Sequence, residues 1–239
     1  MDIPNLIEQL RMTVQLARSR PIELRLYGGE EASAAYATFT KPHRRLPFLR
    51  NKTFGVALLP VSVPAADPFA EPRFRASRRR RKRALDRGYR FAPINGSDHV
   101  DRILAINRSS PHRQGLPLSP SYTDAVVVAR YCQQRSPFFG IFDAERTLRA
   151  YCHASSLGDV ALLARFFGEH DRLEDGIMYL LLSELVSHFA MEQPRDGHPL
   201  WIMYDTYIGA SAGMRTFKER CGFQPYRVRW LWAPDGASA

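Results

Sequence analysis

Gly213 to Trp232 reads GMRTFKERCGFQPYRVRWLW. Small residues open the stretch, and a short charged helix follows. Cys221-Gly222-Phe223 then stops the helix, because a helix commonly ends on a left-handed residue and glycine adopts that conformation without a Cβ penalty. Phe223 returns to the core. The remaining residues, rich in aromatics and arginines, read as a closing strand. Lys218 stands beside Phe217, one turn before the glycine, and its place there needs a reason.

Working back from this ending, "LWIMYDTYIG" reads as a strand, and "GIMYLLLSELVSHFAM" as a helix with Ile177, Leu181, Leu185 and Phe189 down one side. "VALLARFFGE", "LRAYCHASSLGD" and "FFGIFD" read as three strands. Before them come a helix in "SYTDAVVVARYCQQ", a loop in "HRQGLPLSPSY", a helix in "SDHVDRILAINRS" and a strand in "YRFAPI". The order from about Gly88 to Trp232 is therefore β-α-α-β-β-β-α-β-α-β. The expected fold class is α/β (α+β), a mixed sheet flanked by helices. Residues 1–76 form an N-terminal extension, a helix and strands packed on a domain of residues 77–239. Pro60 to Pro72, with four prolines, is a connection.

The element order, together with the "GF" stop after the last helix, resembles the GNAT (Gcn5-related N-acetyltransferase) superfamily. Two features depart from its usual pattern. The family holds the acyl-CoA pyrophosphate on a Q/R-x-x-G-x-G/A loop, where main-chain N–H groups at a helix N-terminus meet phosphate oxygens. The corresponding "GEHDRLEDGIMYLL" instead places Glu169, Asp171, Glu174 and Asp175 between Gly168 and Gly176, and Arg172 offsets one of them. Four carboxylates repel a polyphosphate, so ordinary CoA binding is not expected; Asp175 and Gly176 remain as a helix start. Many members also carry a tyrosine four residues before the glycine that ends the last helix. Here Phe217-Lys218 precedes the stop, which resembles the FemABX branch of the same fold. That resemblance implies aminoacyl transfer from aminoacyl-tRNA, with Lys218 by the reacting carbonyl as a cation for the developing oxyanion. The plain alternative is a solvated lysine favoured by the helix C-terminus.

Other candidate site residues follow from position. His170 lies in the altered loop and could take a proton from an attacking amine. Tyr204-Asp205 ends the strand before the last helix, where open α/β sheets place ligand groups. Asp205 either orients an amine acceptor or caps the turn after it. Arg113 and Gln114, next to Gly115, suit a carboxylate or phosphate; an ordinary solvent loop is the alternative. No nucleophile–base pair, metal-ligand spacing or P-loop is visible in the sequence.

Charge is concentrated in one place. The chain of 239 residues carries a net charge of +10, and Arg73 to Arg90, with ten Lys/Arg and one Asp, holds almost all of it. Arg78, Arg79, Arg80, Arg81, Lys82 and Arg83 are candidates for contact with tRNA, another RNA or an anionic membrane surface. A solvated helix face explains them equally well. No apolar run is long enough to span a bilayer. The three cysteines, far apart and odd in number, favour a reducing, cytoplasmic setting.

Two functions stand at this point. One is an N-acyltransferase that moves an acyl or aminoacyl group from a thioester (acyl-CoA) or aminoacyl-tRNA to an amine, without metal or redox cofactor. The other is a non-catalytic RNA- or partner-binding protein on the same fold.

Overall fold

The computed structural model describes residues 3–43, 50–61, 67–110, 112–113, 116–191 and 200–233. The elements in chain order are α1 Ile3–Arg18, β1 Ile22–Leu26, α2 Gly29–Thr40, β2 Phe54–Val61, α3 Arg75–Asp86, β3 Arg90–Ile94 and α4 Val100–Arg108. Then follow β4 His112–Arg113, β5 Leu116–Pro117, α5 Pro120–Thr123, α6 Ala125–Cys132, β6 Phe138–Phe142, β7 Leu148–Ser156 and β8 Val160–Gly168. The last are α7 Ile177–Met191, β9 Leu200–Thr206, α8 Ala212–Arg220 and β10 Gln224–Trp232.

Eight strands form one mixed sheet in the order β1-β10-β2-β9-β8-β7-β6-β3. Two parallel crossovers organise its centre. β8 and β9 are parallel and joined through α7. β9 and β10 are joined through α8 and both run antiparallel to β2, which lies between them. Residues before position 76 thus supply an interior strand, β2, and an edge strand, β1. The N-terminal segment is woven into the sheet and is not a layer added outside it.

The elements follow from local chemistry. α7 is apolar on nearly every side, with Ile177, Leu181, Leu185 and Phe189 among its buried residues, so it lies in the core against the sheet. α8 is capped at its start by the Ser211 hydroxyl, which accepts the Met214 N–H. At its end Phe223 N–H donates to the Lys218 carbonyl at 2.9 Å and Gly222 N–H to the Glu219 carbonyl at 3.0 Å. This is the paired Schellman closure, and Gly222 has the required positive φ of 84°. The single helix expected over "SYTDAVVVARYCQQ" is two helices. Asp124 takes an extended conformation, ends α5 and caps α6 by accepting the Val127 N–H. α2 is an element that periodicity did not announce, because "GEEASAAYATFT" carries few large apolar residues.

The ladder between β8 and β9 is short. Only Val160, Ala161 and Leu162 pair with Trp201, Ile202 and Met203. Beyond them β8 stays with β7 as far as Gly168, and β9 stays with β2 at Thr206. The two strands diverge, and the opening between their C-terminal ends is where the sheet can admit a ligand.

Candidate active site between the diverging strands

Two adjoining cavities fill this opening. The first, about 420 Å³, is lined by Lys52, Tyr122, Met203, Tyr204, Asp205 and Lys218 among others. The second, about 370 Å³, is more apolar and includes Asn107, Phe166, His170, Met178 and Phe217. Leu118, Tyr204 and Met214 line both and form the waist between them. Both volumes fall in the range of small-molecule sites.

Lys218 is the decisive side chain. It is 1% exposed, so its ammonium has left water and needs partners. Its Nζ donates to the Thr206 carbonyl at 2.6 Å and lies 4.9 Å from the centre of the Tyr204 ring. Asp205 adds a favourable charge nearby. The solvated helix-end lysine weighed above is therefore excluded: this cation is built into the wall of the first cavity.

Tyr204 is buried, with its ring edge-on to Phe166 at 5.2 Å. Asp205 follows it with φ of 53°, one of two non-glycine residues with positive φ among those described. That left-handed turn aims the carboxylate at Lys52, with which it forms an ion pair. Partial desolvation opposes ionisation of Asp205, but the charge and hydrogen bond of Lys52, with Lys218 beyond, outweigh it and hold the carboxyl below its ordinary range. Lys52 was not anticipated. It lies 153 residues away in sequence, in a loop with no motif.

The wall opposite is α5 and the residues before it. Three carbonyls in succession are clamped by side chains from neighbouring elements. Arg165 of β8 donates to Ser121 O at 2.9 Å, Asn107 of α4 to Tyr122 O at 2.9 Å, and Arg108 to Thr123 O. The Arg165 guanidinium also stacks between the rings of Tyr122 and Tyr131. This clamp fixes Tyr122 and Leu118 over the opening. Arg113 lies in β4 of the small hairpin that leads to this wall, and Gln114 falls outside the described residues.

The remaining expected residues are placed as follows. His170 is exposed at the second cavity, its main-chain N–H bonded to Ser109 Oγ at 2.9 Å. Asp175, expected at the helix start, does not turn its carboxylate onto α7. It is buried, accepts the Tyr89 hydroxyl at 2.7 Å and pairs with Arg87, which turns it toward α3. Gly176, with φ of 89°, lies against the carbonyl of Arg80. The repulsion expected from four carboxylates is therefore reduced: Glu169 is held by Arg102 and Arg149, and Asp175 by Arg87. α3 itself closes over the start of α7.

Much of the basic helix is spent on that docking. Arg78 donates to the carbonyls of Phe69 and Ala70, Arg80 lies over the Tyr179 ring, and Arg81 pairs with Asp67 and Glu184. Lys82 pairs with Asp86 on its own helix, and Arg83 donates to the Glu174 carbonyl. Arg79 is exposed on the outer face with Arg75.

Comparison with solved structures agrees with this topology. FemX superposes with a TM-score of 0.52 at 9% identity, over 72% of this chain and 59% of that one. The chain shares the fold of FemX, a mixed sheet flanked by helices. A conserved protein of unknown function from Bacteroides thetaiotaomicron VPI-5482 has a TM-score of 0.50 at 14% identity, over 74% of this chain and 57% of that one. L-PGS from Bacillus licheniformis has 0.48 at 14%, over 73% and 61%. The chain thus spans less than two thirds of the length of each of these structures. No protein-family profile matches the sequence, and no curated protein matches it. Among the described residues, no helix is long and apolar enough to cross a membrane.

Proposed function

We propose that the chain is an N-acyltransferase that moves an acyl or aminoacyl group from a thioester or aminoacyl-tRNA donor to an amine. The observation that carries this reading is Lys218, an ammonium buried at 1% exposure in the wall of a cavity between diverging strands. Burying a charge is costly unless partners offset it, and a buried titratable group in a cleft marks a candidate site.

The neutral amine attacks the donor carbonyl carbon, and the carbonyl electrons move onto oxygen. Lys218, its direction fixed by the Thr206 carbonyl, stabilises that oxyanion. Collapse restores the carbonyl and breaks the C–S or C–O bond. The departing thiolate or alkoxide takes up a proton, and the new amide loses the proton that the amine brought. His170, which lines the adjoining second cavity, is our candidate to accept that proton. The cavities supply orientation, which is the larger part of such catalysis.

The position of α3 favours an aminoacyl-tRNA donor over acyl-CoA. It covers the helix start where a pyrophosphate would otherwise dock, and it presents Arg75 and Arg79 outward for RNA phosphates. The test is a donor panel. The purified chain is incubated with acetyl-CoA, a longer acyl-CoA or charged total tRNA, each with a mixture of amines, and products are read by mass spectrometry. Enzyme-dependent amide formation from at least one donor is expected. Its absence from all three overturns the reading and leaves the non-catalytic RNA-binding alternative.

A further inference from the structure

We infer that the first cavity is a binding site for a zwitterionic α-amino acid with an apolar side chain, Asp205 receiving the ammonium and Lys52 the carboxylate. Its role as the acceptor site rests on the transferase reading; its affinity for the zwitterion does not.

Three observations carry the inference. The first is the ion pair itself. Lys52 and Asp205 meet at the wall of the cavity with side chains 29% and 52% exposed, so both charges are open to a ligand. An ammonium carries three N–H donors, and among the described residues Lys52 uses one of them, on Asp205 Oδ1. The pair is unsaturated, and a ligand with adjacent ammonium and carboxylate groups matches it with opposite polarity.

The second is backbone geometry. Asp205 holds a left-handed φ of 53° at the end of β9. Non-glycine residues adopt it at a cost, and such outliers gather at ligand sites. The conformation turns the carboxylate out of the ladder toward Lys52 and away from the core.

The third is the lining. Phe39, Leu118, Leu162, Met203 and Met214 surround the charged pair. The cavity of about 420 Å³ holds a side chain as large as an aromatic ring. Lys218 lies on the same wall, so an amine released from Asp205 stands near the cation proposed for the oxyanion.

The test is direct binding to the full chain by titration calorimetry, with L-phenylalanine, 2-phenylethylamine and 3-phenylpropionate as probes. Phenylalanine should bind about tenfold or more tightly than either analogue lacking one charge. Lys52→Met should reduce phenylalanine to the level of phenylethylamine while phenylethylamine itself binds at least as well, because its competitor for Asp205 is gone. Asp205→Asn, which tolerates the left-handed backbone, should reduce phenylalanine to the level of phenylpropionate. Equal affinity for the three probes, or no phenylalanine binding up to about 10 mM, overturns the inference without reference to either variant. Binding as expected with no transfer from any donor keeps this inference and removes the transferase reading. Transfer to other amines with no zwitterion binding does the reverse.

Discussion

The carbonyl of Arg80 lies so close to Gly176 that a Cβ there would stand 2.0 Å from its oxygen. This contact joins the basic helix α3 to the start of the core helix α7. Gly176 also has φ of 89°. Gly176→Ala therefore meets a conformational cost and a collision with main chain at once, together about 2–4 kcal/mol. Denaturant unfolding should show that loss, whereas Gly209→Ala, with a similar φ and open space around it, should cost about 1 kcal/mol.

The same contact bears on CoA. With α3 over the start of α7, the Arg80 carbonyl lies against Gly176, and an acceptor oxygen at that point disfavours a pyrophosphate. Calorimetry with acetyl-CoA should give no dissociation constant at or below the micromolar range. A tight constant would show that the donor enters by a route the α3 contact does not block.

The arginines of α3 divide by partner. Arg81 pairs with Asp67 at 3.0 Å and approaches Glu184 at 4.0 Å, so Arg81→Gln should lower stability by about 1 kcal/mol. Arg75 and Arg79 face outward. Replacing both by glutamine should leave the melting temperature unchanged, weaken tRNA binding and flatten its salt dependence by about two phosphate contacts. An identical salt slope in parent and double variant would mark the outer face as merely solvated.

His153 sets an acid limit on stability. It is buried, stacked on Phe138, and hydrogen-bonded through Nδ1 to the Tyr131 hydroxyl at 2.5 Å. Burial, with the charge of Arg165 in the same direction and Glu31 opposing it, lowers its pKa to about 4. The unfolded chain binds a proton at about pH 6.5 that the folded chain refuses until about pH 4, so stability falls as pH drops through that window. The loss between pH 7 and 4.5 is on the order of 2–3 kcal/mol. In urea unfolding, His153→Gln should remove much of this slope; an unchanged slope would assign it to other groups.

Legibility in the sequence followed the range of the interactions. The order of the main-sheet strands from β3 to β10, apart from the β4–β5 hairpin read as a loop, and the stop at Gly222 are set by periodicity and by a helix end that depends on a few neighbouring residues. Both were readable, as was the Lys218 position within α8. The break at Asp124 was local too, but the apolar run of "AVVVARYC" masked it. Lys52 could not be read, because its partner is 153 residues away and nothing in "RNKTFG" marks it. Nor could the place of β2 between β9 and β10, which is decided by pairing across the sheet. The acidic loop was legible only in part. Glu169 and Asp175 are neutralised by arginines from α4, β7 and the end of α3, which only the fold brings near.

The central claim is that the buried ammonium of Lys218 stabilises a transition-state oxyanion, and Lys218→Met tests it most directly. Methionine keeps much of the side-chain bulk and removes the charge. With the donor that supports transfer in the panel, single-turnover rates of parent and variant should differ by about 10²–10³-fold while donor affinity stays within a few-fold. A variant that folds and transfers at the parental rate would show that Lys218 only ties α8 to Thr206, and would contradict the account.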